Sequence, residues 1–188
     1  INILRWAGVR AIVSTEPMAD PLDLGTAPLY ASKVNEAMPP AWKATAPKAV
    51  QGPNQSIVAL QTSTPDSPPV EALGGTWPQT GHVSPATDFH RTTRTVSFTV
   101  SGPKSGVAVI SDSWHPGWSV TVDGTPATSL RVGGVFRGVE VPKGKHSIVW
   151  KFEPWGWIIG CWLFGLGILG WLFMVGFRRE NHEQTPSS

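Results

Sequence analysis

Alternation of apolar and polar residues dominates the chain from residue 95 to residue 152. Alternation with a period of two is typical of strands that bury one face. It predicts strands over residues 95–100, 106–111, 118–122, 135–141 and 146–152. Asp123-Gly124 indicates a tight hairpin turn, because both central residues of a type I′ turn need positive φ. The pattern therefore predicts a mainly β domain, an antiparallel β-sandwich or jelly roll.

The chain before residue 95 has a weaker pattern. Residues 1–13 are apolar but interrupted by two arginines, which fits a buried strand or a short helix-to-strand edge and excludes a membrane span. Proline-containing pieces in residues 15–55 cannot continue a helix or a central strand, so we expect irregular structure there. Residues 56–61 predict a short apolar strand, and residues 62–87, rich in Pro, Ser, Thr and Gly, predict a long surface loop.

Residues 155–177 form a continuous apolar segment of 23 residues without a charge. A helix of this length would be ~34 Å long, enough for a hydrocarbon core of about 30 Å. A buried helix of a soluble protein would be expected to show a polar stripe, and none is present here. Trp155 and Trp157 at one end, and Arg178 and Arg179 at the other, are typical membrane-interface residues. The segment predicts one C-terminal transmembrane α-helix.

Glycines recur on one side of this predicted helix. Gly156, Gly160, Gly167 and Gly170 fall within an arc of roughly 80° at helical spacing. The first two form a G-x-x-x-G pair, which allows close approach of a second helix. One interpretation is a helix-packing face, and the other is that glycine is simply common in membrane helices.

The predicted organisation is a β-rich domain over residues 1–154, a membrane helix over 155–177 and a short polar tail over 178–188. The arginine pair after the helix favours a cytoplasmic tail and an extracytoplasmic domain. Three lysines on the other side, within the counting range of that rule, are discounted because long folded domains cross membranes largely regardless of charge. Because an exported domain needs an upstream segment to carry it across, we expect the chain to be the tail of a longer polytopic protein.

Charge and composition narrow the function classes. The net charge is +2 with charged residues scattered singly, so no basic stripe for nucleic-acid binding exists. The only cysteine, Cys161, excludes disulfides within the chain. The five histidines lack metal-ligand spacing, so we expect neither a metal site nor a cofactor.

The densest polar and aromatic cluster lies in residues 111–118. Asp112, Trp114, His115 and Trp118 are candidate glycan contacts, because an indole can stack on a sugar while polar groups bond its hydroxyls. The alternative is a Pro-Gly turn in which Trp118 packs into the core and Asp112 caps the turn.

Catalytic chemistry finds little support in the sequence. The Ser, Asp and His of residues 111–118 lack a strand-to-helix elbow and an oxyanion loop, so nucleophilic catalysis is not expected. Arg131 and Arg137 could meet phosphate headgroups or an anionic polymer, but single arginines on strands usually form a solvated face.

Three motifs stand at fixed spacing: P-G-W at 116–118, D-G at 123–124 and V-P-K-G-K-H at 141–146. With the apolar helix that follows, residues 106–160 resemble the C-terminal end of YfhO-type bacterial membrane proteins. Residues 1–14 are similar to the strand that begins the extracytoplasmic domain of that family, whereas residues 15–90 have no match. The family often has Tyr-Tyr or Tyr-Phe before P-G-W, and Trp114-His115 stands there instead.

The resemblance implies a polytopic protein of the bacterial cytoplasmic membrane, similar to GT-C glycosyltransferases that use a lipid-phosphate-linked sugar. The catalytic acid of such enzymes lies in an early extracytoplasmic loop, so no catalytic residue is assigned to this chain. Implied partners are the lipid bilayer, other transmembrane helices of the parent protein, and envelope glycan or polyprenyl-phosphate sugar. The chain would be an accessory domain with the last membrane helix. The alternatives are a membrane-tethered carbohydrate-binding or adhesion module, and a tail-anchored structural protein with a cytosolic domain.

Overall fold

Strands outnumber helices in the described part of the chain between residues 2 and 152. The computed structural model describes residues 2–14, 30–33 and 37–182. Within them the helices are α1 (Asn2–Trp6), α2 (Gly52–Thr62) and α3 (Trp155–His182). The strands, in chain order, are β1 (Ala11–Ser14), β2 (Tyr30–Lys33), β3 (Ala41–Ala44), β4 (Lys48–Val50), β5 (Pro69–Glu71), β6 (Val83–Pro85), β7 (Thr87–Arg91), β8 (Thr95–Gly102), β9 (Gly106–Ser113), β10 (Trp118–Val122), β11 (Thr125–Ala127), β12 (Leu130–Val132), β13 (Phe136–Val141) and β14 (Gly144–Phe152).

The chain divides into two units, Ile1–Phe152 and Glu153–Ser188. The first unit contains a seven-stranded sheet of order β4-β5-β12-β13-β9-β3-β6 and a five-stranded sheet of order β11-β10-β14-β8-β7. β1 and β2 form a separate antiparallel pair. Neighbouring strands of the two large sheets run antiparallel, except for the parallel pair β4–β5. The predicted mainly β, antiparallel fold is thus confirmed, with one parallel pair added.

The main core lies between the two large sheets. The five-stranded sheet contributes Val96, Phe98 and Val100 from β8, and Ile148 and Trp150 from β14, all almost fully buried. Their alternate spacing is the period-two pattern expected of strands with one inner face. Ala41, Ala108, Ile110, Val139 and Val141 of the seven-stranded sheet pack against them. The predicted sandwich arrangement follows from this shared core.

A second core covers the other face of the seven-stranded sheet. It contains Trp6 of α1, Trp42 of β3 and Leu60 of α2, each at most 2% exposed. β9 is buried on both faces, with Val107 and Val109 in this core and its intervening residues in the first. Burial on both faces explains why β9 appears in the sequence as a continuous apolar run rather than an alternating one.

The predicted strand over residues 56–61 is wrong, because these residues belong to α2. A short apolar run fits either a strand or a helix by periodicity alone. Pro53 lies in the first helical turn, where its missing N–H costs no bond. Ser56 and Leu60, four residues apart, form the buried side of the helix.

Two regions expected to be irregular contain strands. β3 lies between β9 and β6 with Trp42 fully buried, although residues 15–55 were expected to be irregular. Pro39 and Pro40 lie just before the first residue of this strand, so their missing N–H groups remove none of the hydrogen bonds between β3 and its neighbours. The predicted loop over residues 62–87 contains β5 and β6, each of three residues.

The first residues follow the helix-to-strand alternative. α1 ends at Trp6, and Gly8 in the following turn has a φ of +71° and donates its N–H to the carbonyl of Arg5 at 3.0 Å. Val9 donates to the carbonyl of Leu4 at 2.9 Å, which completes a Schellman-type cap. The chain then enters β1.

α3 forms the second unit and is described by itself. It runs from Trp155 to His182, past the predicted end at residue 177. Large apolar side chains along it are exposed, including Trp162 and Phe164 at 72% each. A search of the described residues finds no helix whose length and hydropathy suffice for a membrane span. The side chains of the predicted interface residues Trp155, Trp157, Arg178 and Arg179, and the tail residues 183–188, lie outside the described part.

Candidate functional site: the turn between β9 and β10

Residues 114–117 form a tightly bonded turn between β9 and β10. Trp114 donates its backbone N–H to the carbonyl of Val135 at 2.7 Å, which ties the turn to the segment before β13. Trp118 donates its backbone N–H to the carbonyl of His115 at 3.1 Å. The His115 Nδ1 accepts a bond from the N–H of Gly117 at 3.0 Å. The predicted Pro-Gly turn is therefore present, and it is closed by His115.

Asp112 does not cap this turn but is the acceptor of two arginines. Its Oδ2 accepts a bond from the Arg137 Nη2 at 2.6 Å and a second bond from Arg91. The Asp112 side chain is 21% exposed, that of Arg91 is 54% exposed and that of Arg137 is 1% exposed. One carboxylate thus joins a surface cation to a buried one.

The Arg137 guanidinium lies inside the sandwich. Its Cζ is 3.8 Å from the ring centroid of Trp118 and 5.0 Å from that of Trp150. Both tryptophans belong to the five-stranded sheet, whereas Arg137 belongs to β13 of the other sheet. Burial lowers the pKa of Arg137, and the charge of Asp112 opposes that effect. An arginine at this depth keeps its charge and is stabilised by the carboxylate and the indole faces.

The expectation of a solvated face is wrong for Arg137. A sequence signal did exist, because Arg137 alternates with Val139 and Val141, which face the main core. The indoles that receive it come from other strands, so this pattern alone could not identify its partners. Arg91, the surface member of the network, carried no signal in the sequence.

The other candidate residues lie in two environments. Trp118 contacts Arg137 and Phe152, whose ring centroid is 5.0 Å away, so it packs as the structural alternative expected. Trp114 is partly exposed, and the Arg131 Cζ lies 4.0 Å from its ring centroid. His115 is exposed and approaches Phe152 edge-on at 5.5 Å. Asp112 and Trp118 both contact Arg137. Trp114 and His115 lie in the turn that connects these two residues along the chain.

Arg131 also differs from a free surface cation. Its Nη1 lies 3.8 Å from the Glu71 Oε2, and its side chain is 27% exposed. The Trp114 Nε1 is buried and has no hydrogen-bond partner among the described residues. The described residues contain no group of three His, Cys, Asp or Glu side chains placed to hold a metal ion.

A two-layer β domain followed in the chain by a long apolar helix is the class that these observations define. Residues 80–164 match the family model described as bacterial membrane protein YfhO. This match confirms the resemblance for the C-terminal portion of the chain. It covers somewhat under half of the chain and does not reach residues 1–14, whose resemblance remains a prediction. No curated protein and no solved structure matches the chain.

Proposed function

We propose that this chain is the C-terminal accessory part of a polytopic, YfhO-like envelope glycosyltransferase and supplies no catalytic residue. The observation that carries the proposal is the extent of the family match. It begins before β6, passes through the strands that hold the Asp112 network and continues into α3 as far as residue 164. The match thus takes in the later strands of the sandwich and the first part of the apolar helix, and its family is described as a membrane protein. The glycosyltransferase class rests on the resemblance alone.

In this proposal α3 inserts into the bacterial cytoplasmic membrane. The support is its apolar surface, since Leu163, Leu166 and Leu169 are each more than 60% exposed. Exposed apolar side chains along a helix are unfavourable in water and favourable in lipid. Trp155 and Trp157 would lie at the outer interface, and Arg178 and Arg179 at the cytoplasmic one. The β domain would then be extracytoplasmic.

The glycines of α3 are the proposed contact for other membrane helices of the parent protein. A Cβ built at Gly156, Gly160, Gly167 or Gly170 would meet nothing within 4 Å. The space is therefore open to a partner, and small residues let two helix backbones approach closely.

Membrane extraction and protease protection test the anchoring and its direction. We expect the full chain to stay in the pellet after alkaline carbonate treatment and to lose its β domain when intact spheroplasts are digested. The Gly160→Leu variant should also remain in the pellet, but a smaller amount of its partner helices should co-purify with it than with the wild type. Release of the wild type into the supernatant would refute the membrane proposal. Protection of the domain until lysis would instead support the tail-anchored alternative.

The turn of Trp114 and His115 is the proposed contact for envelope glycan or a lipid-linked sugar. The turn is fixed by its own hydrogen bonds, and a preorganised aromatic loop binds a sugar at lower entropic cost. Arg131 holds the Trp114 indole from one side. Asp112 and Trp118, on either side of the turn in the chain, both contact Arg137, and these contacts hold the two ends of the turn in place.

Glycan pull-down with Trp114→Ala tests this contact. We expect retention on envelope glycans to fall about ten-fold, which corresponds to a loss of about 1.4 kcal/mol of binding free energy. Trp77→Ala is a matched control, since Trp77 is also partly exposed but lies in a different loop. Equal retention of wild type and Trp114→Ala would remove the glycan proposal and leave the membrane proposal intact.

A further inference from the structure

A separate cavity of about 260 Å³ opens beside Asp112, on the side of Arg91. The end of α1, the segment before β3 and the strands β7 and β9 form its walls. Its described lining includes Gly8, Arg10, Met38, Phe89, Arg91 and Asp112. Residues 114–117 of the Trp114 turn are not among them, and Asp112 is the residue that the cavity shares with the support of that turn.

The charges around the cavity do not balance. Arg10 and Arg91 both line it, and Asp112 is the only acidic residue in its described lining. Asp112 is already shared, because its Oδ2 also accepts the bond from the buried Arg137. The described lining therefore carries two guanidinium groups and one carboxylate, and that carboxylate is bonded by both Arg91 and Arg137. Arg10 forms no ion pair with any described residue, which leaves its donors available.

The backbone holds this arrangement in place. Gly8 turns the chain after α1, and a Cβ at that position would lie 3.1 Å from the carbonyl oxygen of Met38. Met38 in turn donates its N–H to the carbonyl of Arg5 at 2.9 Å. On the other wall, the Ser111 Oγ donates to the carbonyl of Pro40 at 3.1 Å. These bonds connect the segment that carries Arg10 to the strand that carries Asp112.

We propose that the cavity binds a phosphate group carried on a small sugar or polyol. Two arginines line this one cavity. Guanidinium groups suit the oxygens of a phosphate, because one guanidinium can donate two parallel hydrogen bonds to it. Met38, Phe89 and Ile110 provide an apolar wall for the carbon skeleton of the ligand. A volume of about 260 Å³ is enough for a sugar phosphate but small for a larger ligand. The proposal does not depend on a role in glycosyl transfer.

Calorimetric titration of the full chain in detergent tests this proposal. We expect glucose 1-phosphate to bind and glucose, its neutral analogue, to bind at least about ten-fold more weakly. Arg10→Gln should weaken binding of glucose 1-phosphate by about ten-fold or more, without a change in the thermal midpoint. Arg94→Gln is the matched control. Arg94 is an exposed arginine just after β7, the strand that carries Arg91, and it is not in the described lining of the cavity.

Arg10→Gln is the decisive variant, since Arg91→Gln also breaks the ion pair with Asp112. Two ligand sources share the phosphate-ester chemistry, a soluble or polymeric ester and a lipid headgroup. Nanodiscs with and without phosphatidylglycerol separate them, because competition by the anionic nanodiscs alone would assign the cavity to a headgroup. Failure of both the soluble ester and the anionic nanodiscs to bind would overturn the proposal. So would equal affinity of the wild type and Arg10→Gln.

Discussion

At the residue scale, Arg137 shows how a charged side chain can join the two sheets of a sandwich. Its strand belongs to the seven-stranded sheet, while the indoles of Trp118 and Trp150 belong to the other. The planar guanidinium stacks on an indole and still points one nitrogen at Asp112. Its Nε and Nη1 are buried and have no hydrogen-bond partner among the described residues. The bond with the Asp112 carboxylate is therefore the main interaction that offsets the cost of burying the charge.

The two partners of this ion pair should not be equally replaceable. Asp112→Ala is expected to lower the free energy of unfolding by about 3 kcal/mol or more, because it leaves the buried Arg137 charge uncompensated. Arg137→Met should cost clearly less, since Asp112 keeps Arg91 as a partner and the apolar Met can pack against the tryptophans. Urea denaturation followed by near-ultraviolet circular dichroism measures both.

Glu140→Ala provides the reference for this comparison. Glu140 is exposed on the same strand as Arg137, and its removal should change stability by no more than about 0.5 kcal/mol. A larger loss for Arg137→Met than for Asp112→Ala would show that stacking on the indoles, rather than charge compensation, dominates the network.

At the element scale, the hairpin of β10 and β11 is fixed by its own turn and by β14. Asp123 and Gly124 have φ angles of +51° and +80°, which confirms the predicted type of turn. The Asp123 Oδ1 accepts a bond from the N–H of Ser147 at 2.8 Å. The Asp123 Oδ2 lies 2.7 Å from the His146 Nδ1, and the His146 Nε2 lies 3.1 Å from the carbonyl oxygen of Lys143. Both imidazole nitrogens face hydrogen-bond acceptors. Only the protonated ring carries a hydrogen on each nitrogen, so it can donate to both acceptors at once.

This geometry gives the hairpin a pH dependence. The hydrogen bond with Asp123 raises the pKa of His146, and the hydrogen bond with His146 lowers the pKa of Asp123. The stabilisation from His146 is complete below its unfolded pKa of about 6.5 and is lost as the pH rises through the higher folded pKa. The stabilisation from Asp123 is present above its unfolded pKa of about 3.9 and is lost as the pH falls through the lower folded pKa. The pair therefore stabilises most between about pH 4 and pH 6.5.

Asp123→Asn removes the charge and keeps a residue that tolerates positive φ. The difference in urea midpoint between wild type and Asp123→Asn should be larger near about pH 5.5 than near about pH 8.5. The pKa of His146, followed by nuclear magnetic resonance, should fall in the variant. His90→Gln, at an exposed histidine of β7 outside this hairpin, is the matched control. A difference that is the same at both pH values would show that the ion pair does not stabilise the hairpin.

At the scale of the whole molecule, the two units raise different questions. The first unit is held by two cores and an internal ion pair, and its fold follows from these contacts. The second unit contains a helix of 28 residues, and large apolar side chains along its described part are exposed. The family match joins both units, which is why a membrane setting is the proposed solution for the second.

The sequence by itself determined the features that depend on near neighbours. The strands after residue 95, the Asp123-Gly124 turn and the apolar segment from residue 155 follow from periodicity, turn chemistry and the absence of charge. α2 was missed because a short apolar run has no unique period, and β3 because the prolines before it obscured a strand of four residues.

Tertiary structure decided which strands meet. β10 pairs with β14, whereas β13 pairs with β9 in the opposite sheet, so segments close in sequence lie in different layers. That separation places the Arg137 guanidinium against the indoles of the facing sheet. The same folding brings Arg10, Arg91 and Asp112, which lie far apart in the chain, around one cavity. Local sequence patterns cannot determine such groupings, because they depend on the free energy of packing distant segments together.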